Sequence, residues 1–447
     1  MPLAGFPIDK RSALLLDKEN MTKYSISPMS SLYELYLRHP RISTDSRRIE
    51  PDSVFFALRG ASFDGNRFAA DALEKGAAYA VVDDPSLPNT RPDKADRLIV
   101  VDDALQTLQA LAREHRRELG LPILAITGSN GKTTTKELVS RVLAEKYEVY
   151  ATRGNLNNHI GVPLTLLAMT RDVEFGIVEM GASACGEIAL LCSIAEPNYG
   201  IVTNIGRAHL EGFGGPEGVR RGKGELYDWL ARTGGRVFVP ANDPVLMSMA
   251  AERETLAAEC YPTTLADGVE HHLEGDYNRF NVAAAVAVGR YFGVDDERIR
   301  YAVGSYRPDN HRSQKIRTGQ NTLILDCYNA NPSSMQASLV NFRQEPLEGC
   351  TRKILILGDM LELGDWSDAE HRHIISLAAE IPDARILLIG PHFAKAYRSL
   401  ESRPADTTLY PSQEALAAEL RKHPVSQALI LVKGSHSIGL ERLADLL

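Results

Sequence analysis

Apolar positions fall into three stretches of different rhythm. From Met21 to about residue 118, a helical SSLYELYLRH leads through STDSRRI and VFFALRG to the strand RLIVV and a long helical ALQTLQALAREHRREL, which predicts a small mixed α/β domain. From Leu121 onward the short apolar runs PILAIT, FGIVEM, YGIVTNIG and GRVFVP alternate with helical KELVSRVLAEKY, GEIALLCSIA and GELYDWLAR. Continuous apolar runs of that length, set between helices, are the pattern of strands buried on both faces, so a doubly wound parallel sheet is predicted. TLILD, KILILGD, RILLIG and ALILVKG repeat the style and predict a third α/β domain. The expected organisation is α/β with three domains, at 21–118, 119–312 and 313–447, and with residues 1–20 either an extension preceding Met21 or the product of a mis-called start codon.

Composition narrows the classes. A chain of 447 residues needs two to four cores, and 44% hydrophobic with 24% charged residues is ordinary for a soluble globular protein. A net charge of −8 with no basic cluster argues against a general nucleic-acid or membrane binder, so any phosphate must be held locally. The five cysteines, Cys185, Cys192, Cys260, Cys327 and Cys350, form no C-x-x-C pair, so neither a disulfide framework nor a zinc site is expected and a reducing cytoplasm fits best. No apolar run is long enough for a membrane span, and the opening MPLAGFPIDKRSALLLDKEN is interrupted by Asp and Lys before an export signal could form.

The chemistry begins where PILAIT runs into Gly128-Ser129-Asn130-Gly131-Lys132-Thr133-Thr134 and then a helix. Glycines let backbone N–H groups curl around phosphate oxygens, the helix N-terminus adds its positive dipole end, Lys132 neutralises charge, and the Thr133 hydroxyl suits magnesium. Only two residues separate the glycines, so the loop is shorter than that of common P-loop kinases and motors. Ligands of open α/β sheets gather at the carboxyl ends of strands. Thr133 after PILAIT, Glu179 ending FGIVEM and His209 after YGIVTNIG sit there, and they are suitable magnesium ligands together with water and phosphate. In the helical PEGVRRGKGELYDWL, Lys223 lies four residues from both Val219 and Tyr227, on the apolar side. Snorkelling is the bland reading; a carbamate presenting oxygens to a second magnesium is the functional one.

Further strings make a resemblance specific: GNLNNHIGVP at 154–163, EMGASACGEI at 179–188, NIGRAHLEGFG at 204–214, KGELYDWL at 223–230, DCYNANPSS at 326–334 and GDMLELG at 358–364. With TGSNGKTTT they resemble the Mur ligase superfamily from about Met21 to the C-terminus, and YNANP and GDMLELG are similar to its D-alanyl-D-alanine-adding branch. The resemblance implies an N-terminal domain holding the UDP end of a UDP-N-acetylmuramoyl-tripeptide, a central ATPase domain and a C-terminal Rossmann-like domain, with ATP and two Mg2+ ions as cofactors. It implies that Thr133, Glu179, His209 and a carbamylated Lys223 hold metal, that Lys132 contacts the γ-phosphate, and that Asn278 and Asn281 lie near adenine. It further implies Asp326 near the ribose, Arg312 reaching the phosphates, Ser46 and Arg47 at the uridine diphosphate, and Asn155 and Asn158 facing the muramoyl-peptide. Asn329, Asn331, Lys433 and Ser435 fall to the remaining substrate. Three positions depart from the family pattern: Tyr277 and Asn66 stand where His is common, and His436 follows KGS where Arg is usual.

The implied reaction turns a peptide carboxylate into an acyl phosphate with ATP, after which the amine of D-alanyl-D-alanine attacks. Positioning and charge neutralisation supply the rate, without an enzyme nucleophile. A reactive acyl phosphate must be kept from water, so closure on hinges near residues 118 and 312 is expected, in a monomer with no nucleic-acid or membrane partner. The competing readings are a sibling ligase or folylpolyglutamate synthetase adding one amino acid, a P-loop phosphotransferase, and a non-catalytic nucleotide binder.

Overall fold

The computed structural model describes residues 28–308, 314–327 and 329–447. The proposed extension at 1–20, Arg312 and the hinge near it lie outside the described residues.

The N-terminal part carries a parallel sheet in the order Ile42–Ser43, Val54–Phe56, Tyr79–Val82, Leu98–Val100. Its long helix, Ala104–Leu119, starts where the Asp103 carboxylate accepts from Gln106 N at 2.8 Å and ends at Gly120 with φ 64°. The central sheet is wholly parallel, in the order Ala257–Tyr261, Arg236–Pro240, Tyr199–Val202, Ile123–Thr127, Phe175–Glu179, Val149–Ala151. Ile123–Thr127 and Phe175–Glu179 are buried at every position because helices cover both faces, as the apolar runs predict. After Ile123–Thr127 the chain builds outward on one side, and it returns to build on the other through Tyr199–Val202. The ends of these two strands and of Phe175–Glu179 therefore open into one crevice. The C-terminal sheet is five parallel strands, Thr322–Asp326, Ala428–Lys433, Arg352–Gly358, Ala384–Ile389 and Thr407–Tyr410, with Gln314–Arg317 antiparallel at its edge.

The junction near residue 118 differs from the expected hinge. Tyr36, Leu108 and Leu111 share one buried apolar cluster with Val162, Leu166, Leu191 and Ile194 of the central domain. Tyr36 Oη donates to Leu167 O at 2.6 Å, and the buried Arg116 guanidinium donates to Ala195 O, Glu196 O and Asn198 Oδ1 at 3.0, 3.1 and 2.9 Å. Opening here would expose that surface and take the Arg116 donors from Ala195 O and Glu196 O, so the first two domains form one body. The C-terminal domain docks through a smaller apolar patch, in which Leu210, Phe213 and Val219 meet Met360 and Leu363.

Candidate functional site

The crevice is a cavity of about 870 Å³ walled by the central and C-terminal domains. The phosphate loop forms its floor. Gly128 has φ 136°, and a Cβ there would lie 2.0 Å from Thr203 Oγ1; Gly131 has φ 79°, and a Cβ would lie 2.7 Å from Asn281 Oδ1. Both need glycine for conformation and for close approach. Lys132 Nζ donates to Gly128 O at 2.8 Å and Ser129 O at 3.2 Å, which folds the lysine over the loop. Thr133 opens the helix Lys132–Ala144, and its hydroxyl donates to Glu179 Oε2 at 2.9 Å.

Glu179 is buried and held from several sides. Asn157 Nδ2 donates to its Oε1 at 2.8 Å, and its backbone N–H donates to Thr152 Oγ1 at 3.0 Å. Lys136, buried on the loop helix, donates to Thr152 O at 2.6 Å and pairs with Glu137 at 2.8 Å, so the helix and the Glu179 strand end are tied together. The adjoining hydroxyl and carboxylate are the hard oxygen donors that magnesium prefers. Among the described residues no group of three His, Cys, Asp or Glu could hold an ion alone, so a metal here would be shared with phosphate and water. His209, at φ 52°, lines the same cavity, but its Nδ1 pairs with the Glu362 carboxylate of the C-terminal domain. That contact holds the Glu362 carboxyl below its ordinary range and leaves Nε2 as the nitrogen for a ligand.

Lys223 lies behind the cavity lining. It is buried on the apolar side of Pro216–Thr233, donates to Ala182 O at 3.0 Å and sits 5.1 Å from the centre of the Phe213 ring. Burial, and next the charge of Lys132, push its ammonium well below the usual lysine range. On the far wall Asn281 Nδ2 donates to Asn278 Oδ1 at 2.8 Å and its Oδ1 accepts from Thr135 at 3.0 Å, which aligns both amides at the cavity beside Tyr277. The C-terminal domain supplies Asp326, Asn329 and Lys433 to the lining. Lys433 pairs with Asp326, whose carboxylate also accepts from Ser338 Oγ at 3.0 Å. Burial pushes the neighbouring Cys327 thiol up to about 12, which disqualifies it as a nucleophile.

Other expected residues stand elsewhere. Asn158 accepts from Ile160 N and Gly161 N at 3.1 and 2.9 Å in the turn leading into the helix Gly161–Leu167 and borders the cavity, whereas Asn155 is exposed outside its lining. Asn331 is buried as the N-cap of Pro332–Gln344, and the Ser435 hydroxyl accepts from Leu361 N at 3.1 Å; neither lines the cavity. Ser46 and Arg47 also lie off it. The Ser46 carbonyl accepts from Lys75 and exposed Arg47 pairs with Asp45 at 2.7 Å. Asn66 bridges Asp64 and Asp83, donating at 2.8 and 2.6 Å, and His436 is exposed. Sequence reasoning missed Asn157, Lys136 and Glu362. Lys136 left a signal, being three and seven residues from Val139 and Leu143 on the buried stripe of its helix; Glu362 left none, because its partner is 153 residues away.

Three family models match in order along the chain: the Mur ligase family catalytic domain over residues 40–116, the Mur ligase middle domain over 126–264 and the Mur ligase glutamate ligase domain over 311–436. A UDP-N-acetylmuramoyl-tripeptide–D-alanyl-D-alanine ligase of Bacillus subtilis is 34% identical over 432 residues, covering 90% of this chain and 92% of its own. The chain belongs to the Mur ligase family. Among solved Mur ligases, a MurF crystal structure from Acinetobacter baumannii matches with TM-score 0.79 at 30% identity, over 91% of this chain and 93% of its own. A Thermotoga maritima MurF ligase in complex with ADP matches with TM-score 0.77 at 25% identity, over 92% and 97%. The Mur ligase middle domain thus contains the phosphate loop, Glu179, His209 and Lys223, and the glutamate ligase domain contains Asp326, Glu362 and Lys433.

Proposed function

We propose that this chain joins D-alanyl-D-alanine to UDP-N-acetylmuramoyl-tripeptide with ATP, giving ADP and phosphate. The reading rests above all on a phosphate loop and a Thr133–Glu179 pair facing a C-terminal wall across one cavity, in a chain matched nearly end to end by relatives carrying that name. A tripeptide carboxylate oxygen attacks the γ-phosphorus and the β–γ bridging bond breaks. Lys132 swings from the loop carbonyls to the transferring phosphoryl, and loop N–H groups hold the phosphate chain. Thr133, Glu179 and His209 would hold Mg2+, which would neutralise phosphate charge. The dipeptide amine then attacks the acyl carbon, loses its proton, and phosphate departs. Lys223, whose ammonium burial disfavours, would add to CO2 through the lone pair of its neutral form and release a proton, and the resulting carbamate would supply oxygens for a second Mg2+. Asn278 and Asn281 face adenine, and Ser46 and Arg47 take the uridine diphosphate end. The enzyme works as a cytoplasmic monomer.

Phosphate release, measured while omitting UDP-tripeptide, dipeptide or magnesium in turn, tests this. Release only in the complete mixture is expected. Release indifferent to the dipeptide would replace the reading with a sibling ligase or a plain ATPase.

A further inference from the structure

We infer that Asn130 and Asn331 form an amide clamp that positions the C-terminal domain over the phosphate loop during ligation, a role that rests on the ligase reading above. Asn331 opens the helix Pro332–Gln344 in a reciprocal cap: its Oδ1 accepts from Ser334 N at 2.9 Å, and Ser334 Oγ accepts from Asn331 N at 3.1 Å. The cap commits the amide oxygen and so decides which end of the side chain faces the loop. The NH2 end donates to Asn130 Oδ1 at 2.8 Å, and Asn130 Nδ2 lies 3.5 Å from Asn331 Oδ1.

Asn130 is itself fixed. Its backbone N–H donates to Asn204 Oδ1 at 3.1 Å, and its carbonyl accepts from Thr203 Oγ1 at 2.6 Å and Asn204 Nδ2 at 3.0 Å. Beside it, Gly206 N donates to Ser129 Oγ at 2.9 Å and Arg207 N donates to Ser333 Oγ at 2.8 Å. Three segments that meet only in the fold, 129–130, 204–207 and 331–333, thereby interlock. The next residues of the capped helix, Ser333, Ser334, Ala337 and Ser338, line the cavity, whereas Asn331 does not. Asn331 therefore acts on substrate through the domain it docks. The geometry of the nucleotide loop and the placement of the second-substrate wall become one variable.

The test separates cap from clamp. Asn331→Ser keeps a good N-cap and removes the amide donor; Asn331→Asp does the same with a charge; Asn331→Ala removes both functions. Melting temperature, ADP affinity by calorimetry, and kcat and KM for the dipeptide are measured for each, and for Asn130→Ala alone and with Asn331→Ser. Asn331→Ser should melt within about 2 °C of wild type and bind ADP within about threefold. Its kcat should fall about tenfold or more, equal to about 1.4 kcal/mol. The double variant should be no slower than the slower single, because one contact is being removed twice. Wild-type kcat in Asn331→Ser, or multiplying losses in the double variant, would overturn the clamp. If wild type shows no dipeptide-dependent phosphate release, the ligase reading fails by itself. The clamp is then decided by scattering: compaction on ADP binding is expected in wild type and not in Asn331→Ser, and equal compaction in both overturns it.

Discussion

Two buried lysines show what decides a residue's chemistry. Lys136 and Lys223 both sit on the apolar stripe of a helix and both donate to a carbonyl, at 2.6 and 3.0 Å. Lys136 also has Glu137 at 2.8 Å, whereas Lys223 has no ion pair among the described residues, and burial drives it toward the neutral amine. Only a neutral amine has the lone pair to add to CO2. In CO2-depleted buffer wild-type ligation should therefore fall and return with bicarbonate, while Lys223→Met should be inactive under both conditions. The Met variant should melt within a few degrees of wild type, since an apolar chain of similar size removes the cost of burying an amine without an ion pair and gives up its bond to Ala182 O. Ligation indifferent to CO2 would leave Lys223 as a packing residue. The sequence exposed Lys223 because a lysine at helical spacing among apolar residues needs a reason, and Lys136 meets the same criterion. Asn331 shows the limit: its motif marked it as important, but only the fold reveals that its amide meets Asn130, 201 residues earlier.

At the scale of elements, the strands legible from sequence in the two six-stranded sheets are the interior ones, whereas in the N-terminal sheet the edge strand Leu98–Val100 is legible in RLIVV and the interior Tyr79–Val82 is not. PILAIT, FGIVEM, TLILD and KILILGD are buried on both faces and write continuous apolar runs. Val149–Ala151, Ala257–Tyr261, Gln314–Arg317 and Thr407–Tyr410, which no run announced, are the four edges of the two six-stranded sheets. Edge strands are half solvated, so their apolar signal is diluted by residues such as Glu259 and Thr407. Loops carry still less signal. The GDMLELG turn is held by His371, fully buried, whose Nε2 accepts from Met360 N at 3.1 Å while its Nδ1 donates to Ser367 O at 2.7 Å. Burial lowers the imidazole below its ordinary value of about 6.5, so between that value and the lowered one the unfolded chain binds the extra proton. Stability is then fully present above about pH 6.5 and is lost as pH falls through the depressed value. His371→Gln keeps an acceptor for Met360 N and cannot titrate. Its melting temperature should therefore drop less than that of wild type between about pH 7 and pH 5. Parallel curves for the two proteins would mean that His371 stays neutral without cost.

For the whole molecule, the three family domains reduce to two mechanical bodies. The N-terminal and central domains are welded by a common apolar cluster and by Arg116, whereas the C-terminal domain keeps most of its core to itself and makes polar contacts to the central domain through Asn331, Ser333, Glu362 and Glu370. Any closure over an acyl phosphate therefore happens at the second seam, where the Arg207–Glu370 pair at 2.7 Å bridges the bodies. Calorimetry should resolve this. Arg116→Met removes the donors of Ala195 O and Glu196 O inside the first body, while Asn198 Oδ1 keeps Ile123 N, and should cost about 1–3 kcal/mol, lowering that body's transition by several degrees and leaving the C-terminal transition in place. Glu370→Gln acts on the seam and should bring the two transitions apart, without moving the melting of the first body. A single transition shifted equally by both variants would mean that the chain unfolds as one unit. The crevice would then have to admit its substrates without the second body swinging away.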